Sequence, residues 1–231
     1  MEDLKIYVGY DSREDIAWQV CRQSLLRHAG PELPVYPLRQ TSLRELGLYT
    51  RPADARASTE FSISRFLTPY LAAHDGWSVF VDCDFLFTDD VRKVLRNLDL
   101  SKAIYVVQHE YTPALSIKMD GKAQHVYPRK NWSSFILFNG RHPAVKALTP
   151  SIVNSAEPAY LHRFTWVEDA DIGALDLNWN FLVGEYPKPS SIPAAIHYTN
   201  GGPWFENHVD VDYGELWIGE RDKYLASSVR L

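Results

Sequence analysis

A mostly apolar run, Trp77-Ser78-Val79-Phe80-Val81, leads straight into Asp82-Cys83-Asp84. A short β-rich run of this kind reads as an interior strand. The acids at its end narrow the choice of fold, because open α/β sheets bind ligands beyond the carboxyl ends of their strands. Side chains at i and i+2 of an extended segment share a face, so both carboxylates can approach one point. A hard divalent cation held there by oxygen ligands can bridge two phosphates. The bare tripeptide also suits a solvated surface turn. The flanks argue against that: Phe80-Val81 before and Phe85-Leu86-Phe87 after are apolar, and burying two neighbouring carboxylates without a counter-charge is costly.

The rest of the chain alternates in the same way. Leu4 to Gly9 reads as a buried strand that stops at Gly9-Tyr10-Asp11-Ser12. A helical period follows through Ala17, Val20, Cys21 and Leu25, with Asp11 or Ser12 as its cap and Gly30-Pro31 as its end. Leu33 to Leu38 predicts a second strand and Thr41 to Leu46 a short helix; Thr50 to Ser58 is a loop. Phe61 to Ala73 is helical, with a kink at Pro69. Ala103 to Val107, Ser134 to Phe138 and Ala194 to Ile196 predict further strands, and Asp120-Gly121 a hairpin turn within Ile117 to Lys122. No repeat or linker divides the 231 residues, so the expectation is one α/β domain over 1–231, parallel at first and mixed later.

Composition excludes several functions. The net charge of −5 comes from 29 acids and 24 bases without a basic block, which argues against nucleic acid as a partner. Two cysteines, Cys21 and Cys83, are too few for a disulfide framework and suit a reducing compartment. The N-terminus carries neither the charged nor the apolar region of a signal peptide, and no stretch approaches about 20 apolar residues. The chain is therefore expected in the cytoplasm, with at most peripheral membrane association. Aromatic residues make up 13%, a content suited to stacking on sugars or bases and equally to a packed core.

Val79 to Phe87 resembles the metal-binding strand of retaining glycosyltransferases related to glycosyltransferase family 8. Further segments resemble the same family in the same order. Asn131 to Asn139 is similar to its strand ending in Asn, Asp169-Ala170-Asp171-Ile172 to its acidic helix start, and Asn178-Trp179-Asn180-Phe181 to its Trp-Asn element. His197-Tyr198-Thr199-Asn200-Gly201-Gly202-Pro203-Trp204 is similar to its closing loop. The resemblance implies a GT-A (Rossmann-like) nucleotide-diphospho-sugar transferase fold, with a mixed central sheet flanked by helices. It also implies a manganese or magnesium ion held by Asp82, Asp84 and His197, a donor that is usually a UDP-sugar, a glycan or lipid-linked acceptor, and retention at the anomeric carbon.

Other residues take their expected roles by place. Gly9, Asp11, Arg65, Asp82, Gly201, Gly202 and Trp204 are expected at the donor, and Trp132, Trp179 and Asn180 at the acceptor. Asp169 and Asp171 are expected at the reacting face, Asp169 being the candidate nucleophile of a double displacement; a front-face route needs positioning alone. Several of these residues have plain structural alternatives. Asp11 also reads as a helix cap, Arg65 as a solvated helix arginine, the tryptophans as core, and His197 as a hydrogen-bonded core histidine. For His197, the apolar Ala194-Ala195-Ile196 before it and the Gly201-Gly202 pair beyond it favour a ligand. Two positions depart from the family: Gly202 stands where a lysine normally precedes Pro-Trp, and Ala170 where a glutamine follows the first acid. Two other readings remain open, a nucleotidyltransferase, for which Gly9 to Arg13 is poor in glycine and basic residues, and a transferase-like domain that binds without turnover.

Overall fold

A computed structural model describes residues 4–53, 57–110 and 128–228. The predicted hairpin at Asp120-Gly121 lies outside the described residues. A six-stranded sheet organises the main core. Its strands are β1 (Lys5–Gly9), β2 (Val35–Leu38), β3 (Trp77–Val81), β5 (Ile104–Val107), β6 (Phe135–Asn139) and β7 (Ile172–Leu175), in the order β2-β1-β3-β6-β5-β7. β1 pairs in parallel with both β2 and β3, β6 runs antiparallel to β3 and β5, and β7 lies parallel to β5. Every residue of β3 and β6 is buried. That explains why the Trp77–Val81 run shows no alternation: a central strand covered on both faces is apolar throughout. Each fully buried Phe, Val or Ile of these strands contributes about 1.5–3 kcal/mol by leaving water.

The first helix, Asp15–Ala29, follows a 3₁₀ turn at Ser12–Glu14 and ends at Gly30. It buries the predicted stripe Ala17, Val20, Cys21 and Leu25. Against its flank lies the last helix, Gly214–Ser228, held by Arg27, whose Nε lies 2.8 Å from both oxygens of the buried Glu220 carboxylate. The predicted helix over Phe61 to Ala73 is broken. A 3₁₀ turn covers Ser64–Leu67 and a single α turn Thr68–Leu71, with Pro69 opening the second piece, where its missing N–H costs nothing. Among the described residues no helix is long and apolar enough to cross a membrane.

A second, three-stranded sheet carries half of the site. It consists of β4 (Phe85–Phe87), β8 (Phe181–Leu182) and β9 (Ala195–His197), in the order β4-β9-β8. β4 follows Asp84 directly, and its antiparallel pairing sets Phe85 opposite His197. The chain thus leaves the large sheet at Val81, passes the two acids and enters the small sheet beside the histidine. A core of its own, with Leu86, Phe181, Ile196, Tyr198 and Trp217, holds this sheet against the first helix.

Candidate metal centre and donor cleft

Asp82, Asp84 and His197 each offer one ligand atom, and these atoms lie within 4.8 Å of one another. The backbone fixes this convergence from two sides. Asp82 N donates to Ser134 O at 2.9 Å, which extends the β3–β6 pairing by one residue, and Tyr198 N donates to Asp84 O at 3.0 Å, which ties the acids to the segment after β9. The His197 imidazole is 2% exposed and stacks on Phe85 with ring centroids 4.3 Å apart and planes 19° from parallel. Its Nε2 faces Asp84 Oδ2 at 3.3 Å. Two carboxylates and a buried imidazole form a mixed oxygen and nitrogen donor set that suits manganese, and magnesium through the carboxylates. The donor chemistry therefore fits the cation that the resemblance implies.

Arg65 reaches the same centre from the 3₁₀ turn. The residue is 5% exposed, and its Nη1 lies 2.9 Å from Asp82 Oδ1 and donates to Ser133 O at 2.7 Å, while Nε donates to Ser62 O at 3.0 Å. It is not a solvated helix arginine. The guanidinium also sits over the Phe80 ring, 4.8 Å from its centroid. Beside it, burial and then the Arg65 charge push His162 down to about 3, so the neighbouring ring is neutral and Arg65 brings the positive charge to Asp82. Next to His197, burial pushes His109 down to about 3 as well.

Glu14 faces the acids from the start of the first helix, and its side chain carried no signal in the sequence beyond that of a solvated first-turn acid. Burial, and then the charges of Asp84 and Asp11, push its carboxyl up to about 8 against the opposing Arg13 and Trp204. Glu14, Asp84, Tyr198, Gly201 and Trp204 wall a cleft of about 470 Å³. Through Arg13, Ser58 and Thr59 this cleft adjoins a second cavity of about 770 Å³, lined also by Gln40, Glu60 and His162.

The structure gives several expected site residues other work. Asp11 is fully buried and caps the Ser12–Glu14 turn. Its oxygens accept from Arg13 N, Nε and Nη2 and from Glu60 N at 2.7–3.1 Å. Burial raises its carboxyl, but these hydrogen bonds and the Arg13 charge outweigh that and leave it below the ordinary range. Four donors fill the acceptor sites of one carboxylate, so Asp11 has no capacity left for a nucleoside. Gly9 is explained by packing, because a Cβ there would strike the Phe61 ring. Trp179 belongs to the core, and Asn180 is 0% exposed, so neither lines an acceptor groove. Trp132 is half-buried under Arg129, and its Nε1 donates to His109 O at 3.2 Å.

The Asp169–Asp171 segment is a one-turn 3₁₀ element that runs into β7 and does not start a helix. Parallel pairing with β5 places it at the start of that strand, where Ala103 N donates to Asp171 O and Asn139 N to Ala103 O. Asp82 lies at the other end of β6, beside Ser134, and the rise from Ser134 to Asn139 along the strand is about 17 Å. Asp171 is paired with His142, and Asp169, 81% exposed, with Arg129. Neither joins the cation cluster found among the described residues.

The closing loop departs from expectation as well. Gly201, at φ +105°, donates its N–H to Tyr198 O at 2.6 Å, so that amide holds the turn and is not offered to phosphate. At Gly202 the space of a Cβ is occupied by the Trp204 ring, which explains why no lysine stands there. Trp204 itself forms a wall of the cleft and packs on Trp217, with ring centroids 5.3 Å apart.

No protein-family profile matches this chain. It is 48% identical over 225 residues to Protein CDI of Arabidopsis thaliana, an alignment covering 96% of this chain and 87% of that protein. Among solved structures, the WbbM bifunctional glycosyltransferase superposes with a TM-score of 0.63 at 17% identity over 95% of this chain and 50% of WbbM. The glycosyltransferase GlyE of Streptococcus pneumoniae TIGR4 gives 0.63 at 15% identity over 99% of this chain and 64% of GlyE. The chain thus spans only about half of WbbM and under two thirds of GlyE. The galactosyltransferase LgtC, solved with donor and acceptor sugar analogues, gives 0.59 at 13% identity over 95% of both chains. These likenesses establish the fold as that of the GT-A glycosyltransferases.

Proposed function

We propose that this chain, which belongs to the family of Arabidopsis thaliana Protein CDI and has the GT-A fold, is a metal-dependent transferase. It moves a sugar from a nucleotide-sugar donor, a UDP-sugar, to a hydroxyl of a glycan or lipid-linked acceptor, with retention at the anomeric carbon as in glycosyltransferase family 8. The observation that carries this reading is the meeting of Asp82, Asp84 and His197 within 4.8 Å, with Asp84 on the wall of the cleft. A manganese or magnesium ion held there supplies positive charge to the departing diphosphate.

The chain's own residues do the rest. Asp82 is fixed by Arg65, His197 by Phe85, and the loop from Tyr198 to Gly201 with Trp204 bounds the diphosphate side of the cleft. The adjoining cavity is large enough for the nucleoside. Because Asp169 and Asp171 stand outside the cluster, front-face displacement is favoured over a double displacement through Asp169. The acceptor oxygen bonds to the anomeric carbon on the face that the diphosphate leaves, the old carbon–oxygen bond breaks, and the hydroxyl proton passes to the departing phosphate oxygen. Two buried free thiols, Cys21 and Cys83, support a cytoplasmic protein.

The displaced acids, Ala170 and the side-chain-free Gly202 position also favour one other reading, a domain that binds the donor without turnover. UDP release from a panel of UDP-sugars separates the two. The expected result is release in manganese that stops in excess chelator; binding of UDP with no release from any sugar selects the binding domain.

A further inference from the structure

Behind His197 runs a small ring of hydrogen bonds among Asn131, Ser134 and Asn180, which reaches the imidazole on one side and Thr199 at the cleft wall on the other. Ser134 Oγ donates to Asn131 O at 2.7 Å, which commits its only proton. Asn180 Nδ2 lies 2.9 Å from Ser134 Oγ, so the hydroxyl accepts there and the amide donates. The same nitrogen turns its other hydrogen toward Asn131 O at 3.5 Å. Asn180 Oδ1 then faces His197 Nδ1 at 2.9 Å. On the far side, Asn131 Nδ2 donates to Thr199 Oγ1 at 3.2 Å, which brings the ring back to the loop that follows His197.

With the Ser134 hydroxyl donating to Asn131 O, one orientation of the Asn180 amide satisfies these partners. Turned over, its oxygen would meet the Asn131 carbonyl and a hydroxyl whose proton is already given away, in a residue 0% exposed. A buried acceptor left without a donor costs about 1–3 kcal/mol. The oxygen therefore points at the imidazole. An amide oxygen only accepts, so Nδ1 must carry the hydrogen, and Nε2 is the ring atom left to face Asp84 Oδ2 at 3.3 Å.

We propose that Asn180, aimed by Ser134 and Asn131, is a positioning residue for the cation: its amide oxygen accepts a hydrogen bond from His197 Nδ1–H and so assigns Nε2 as the ligand atom. This rests on the metal reading of the previous subsection. Asn180 touches neither donor nor acceptor; it acts through His197. Phe85 sets the plane of the ring and Asn180 sets its rotation within that plane. Loss of such an outer partner typically weakens metal binding about 10–100-fold.

The test combines nitrogen-15 NMR of labelled histidine with manganese affinity, in wild type, Asn180→Leu and Asn180→Asp. Asn180→Asp keeps an acceptor oxygen at Nδ1, its second oxygen taking the Ser134 hydroxyl hydrogen bond while Ser134 N still serves Asn131 O; Asn180→Leu keeps the volume and removes the acceptor. In wild type loaded with magnesium, which is diamagnetic, a slowly exchanging Nδ1–H of His197 is expected, identified by its absence in His197→Gln. That signal should be lost in Asn180→Leu and kept in Asn180→Asp. Manganese dissociation constants should rise about tenfold or more in Asn180→Leu and less than about threefold in Asn180→Asp. An Nε2-protonated His197 in wild type, or an Asn180→Leu protein with wild-type manganese affinity, overturns the proposal. If wild type binds neither ion yet shows the Nδ1–H signal, the tautomer set by Asn180 stands, while its role toward a cation falls together with the metal reading of the function.

Discussion

Asp84→Asn is expected to abolish most sugar transfer while leaving the fold in place. The substitution nearly preserves shape and hydrogen-bonding capacity but removes one negative charge from the cation cluster. Charge stabilisation at a departing diphosphate is worth several kcal/mol, and each 1.36 kcal/mol is a factor of ten in rate. Turnover should therefore fall by about a hundredfold or more. Metal-free stability should not fall, because Asp84 shares its surroundings with the carboxylates of Asp82 and Glu14, and the latter is pushed up partly by Asp84 itself. Removing one of three acids relieves repulsion. UDP release at saturating manganese, measured beside thermal melting in chelator, checks both halves. Near-wild-type turnover would take Asp84 out of the site.

Arg65→Met produces the largest expected loss of stability. Arg65 is buried, pairs with Asp82 Oδ1 at 2.9 Å, donates to two backbone carbonyls and packs over Phe80. Methionine replaces the stem but leaves Asp82 beside an apolar wall without its charge partner. Breaking a buried pair from one side costs about 3–5 kcal/mol, or roughly 6–20 °C in a chain of this size. A cation on Asp82 replaces the missing positive charge, so manganese should raise the melting temperature of the variant more than that of wild type. Melting curves of both proteins with chelator and with manganese test this. A loss below about 1 kcal/mol, with equal manganese shifts, would mean that Arg65 is not the counter-charge of Asp82.

Sequence exposes the parts of this fold whose burial writes a pattern. β3 and β6 are buried on both faces and so read as unbroken apolar runs, and the first helix shows its stripe at Ala17, Val20, Cys21 and Leu25. Asp82 and Asp84 are legible because a buried strand ends in them. His197 is legible because β9 and a glycine loop flank it. The small sheet escapes because β4 has three residues and β8 two, too few to show a period. The Asp169–Asp171 turn suits a helix start locally, and only the pairing of Ile172–Leu175 with β5, a tertiary event, makes it the approach to a strand.

Side-chain roles are harder to read than elements. Asp11 follows β1 in the chain, yet nothing in the chain order reveals that Arg13 and the Glu60 amide use all its acceptor sites. Asn180 follows Trp179 in a segment that looks suited to lining a groove, but the backbone turns it inward to His197. Glu14 looks like an ordinary first-turn acid until the small sheet brings Asp84 toward it. In each case the deciding partner is distant in sequence or selected by local geometry, and the residue type alone is compatible with either role.

The most direct test of the account is the melting temperature of the wild-type protein with UDP, in manganese and in excess chelator. A ligand that binds only the folded state stabilises it by about 2.7 kcal/mol at a hundred times its dissociation constant, or roughly 5–10 °C for a domain of this length. In chelator, the facing carboxylates repel a diphosphate and Arg65 is already engaged by Asp82, so UDP should give no shift. The predicted result is a rise with manganese and UDP together that exceeds the rise with manganese alone. An equal UDP shift in chelator, or none under either condition, would contradict a cation on Asp82, Asp84 and His197 as the bridge to the nucleotide.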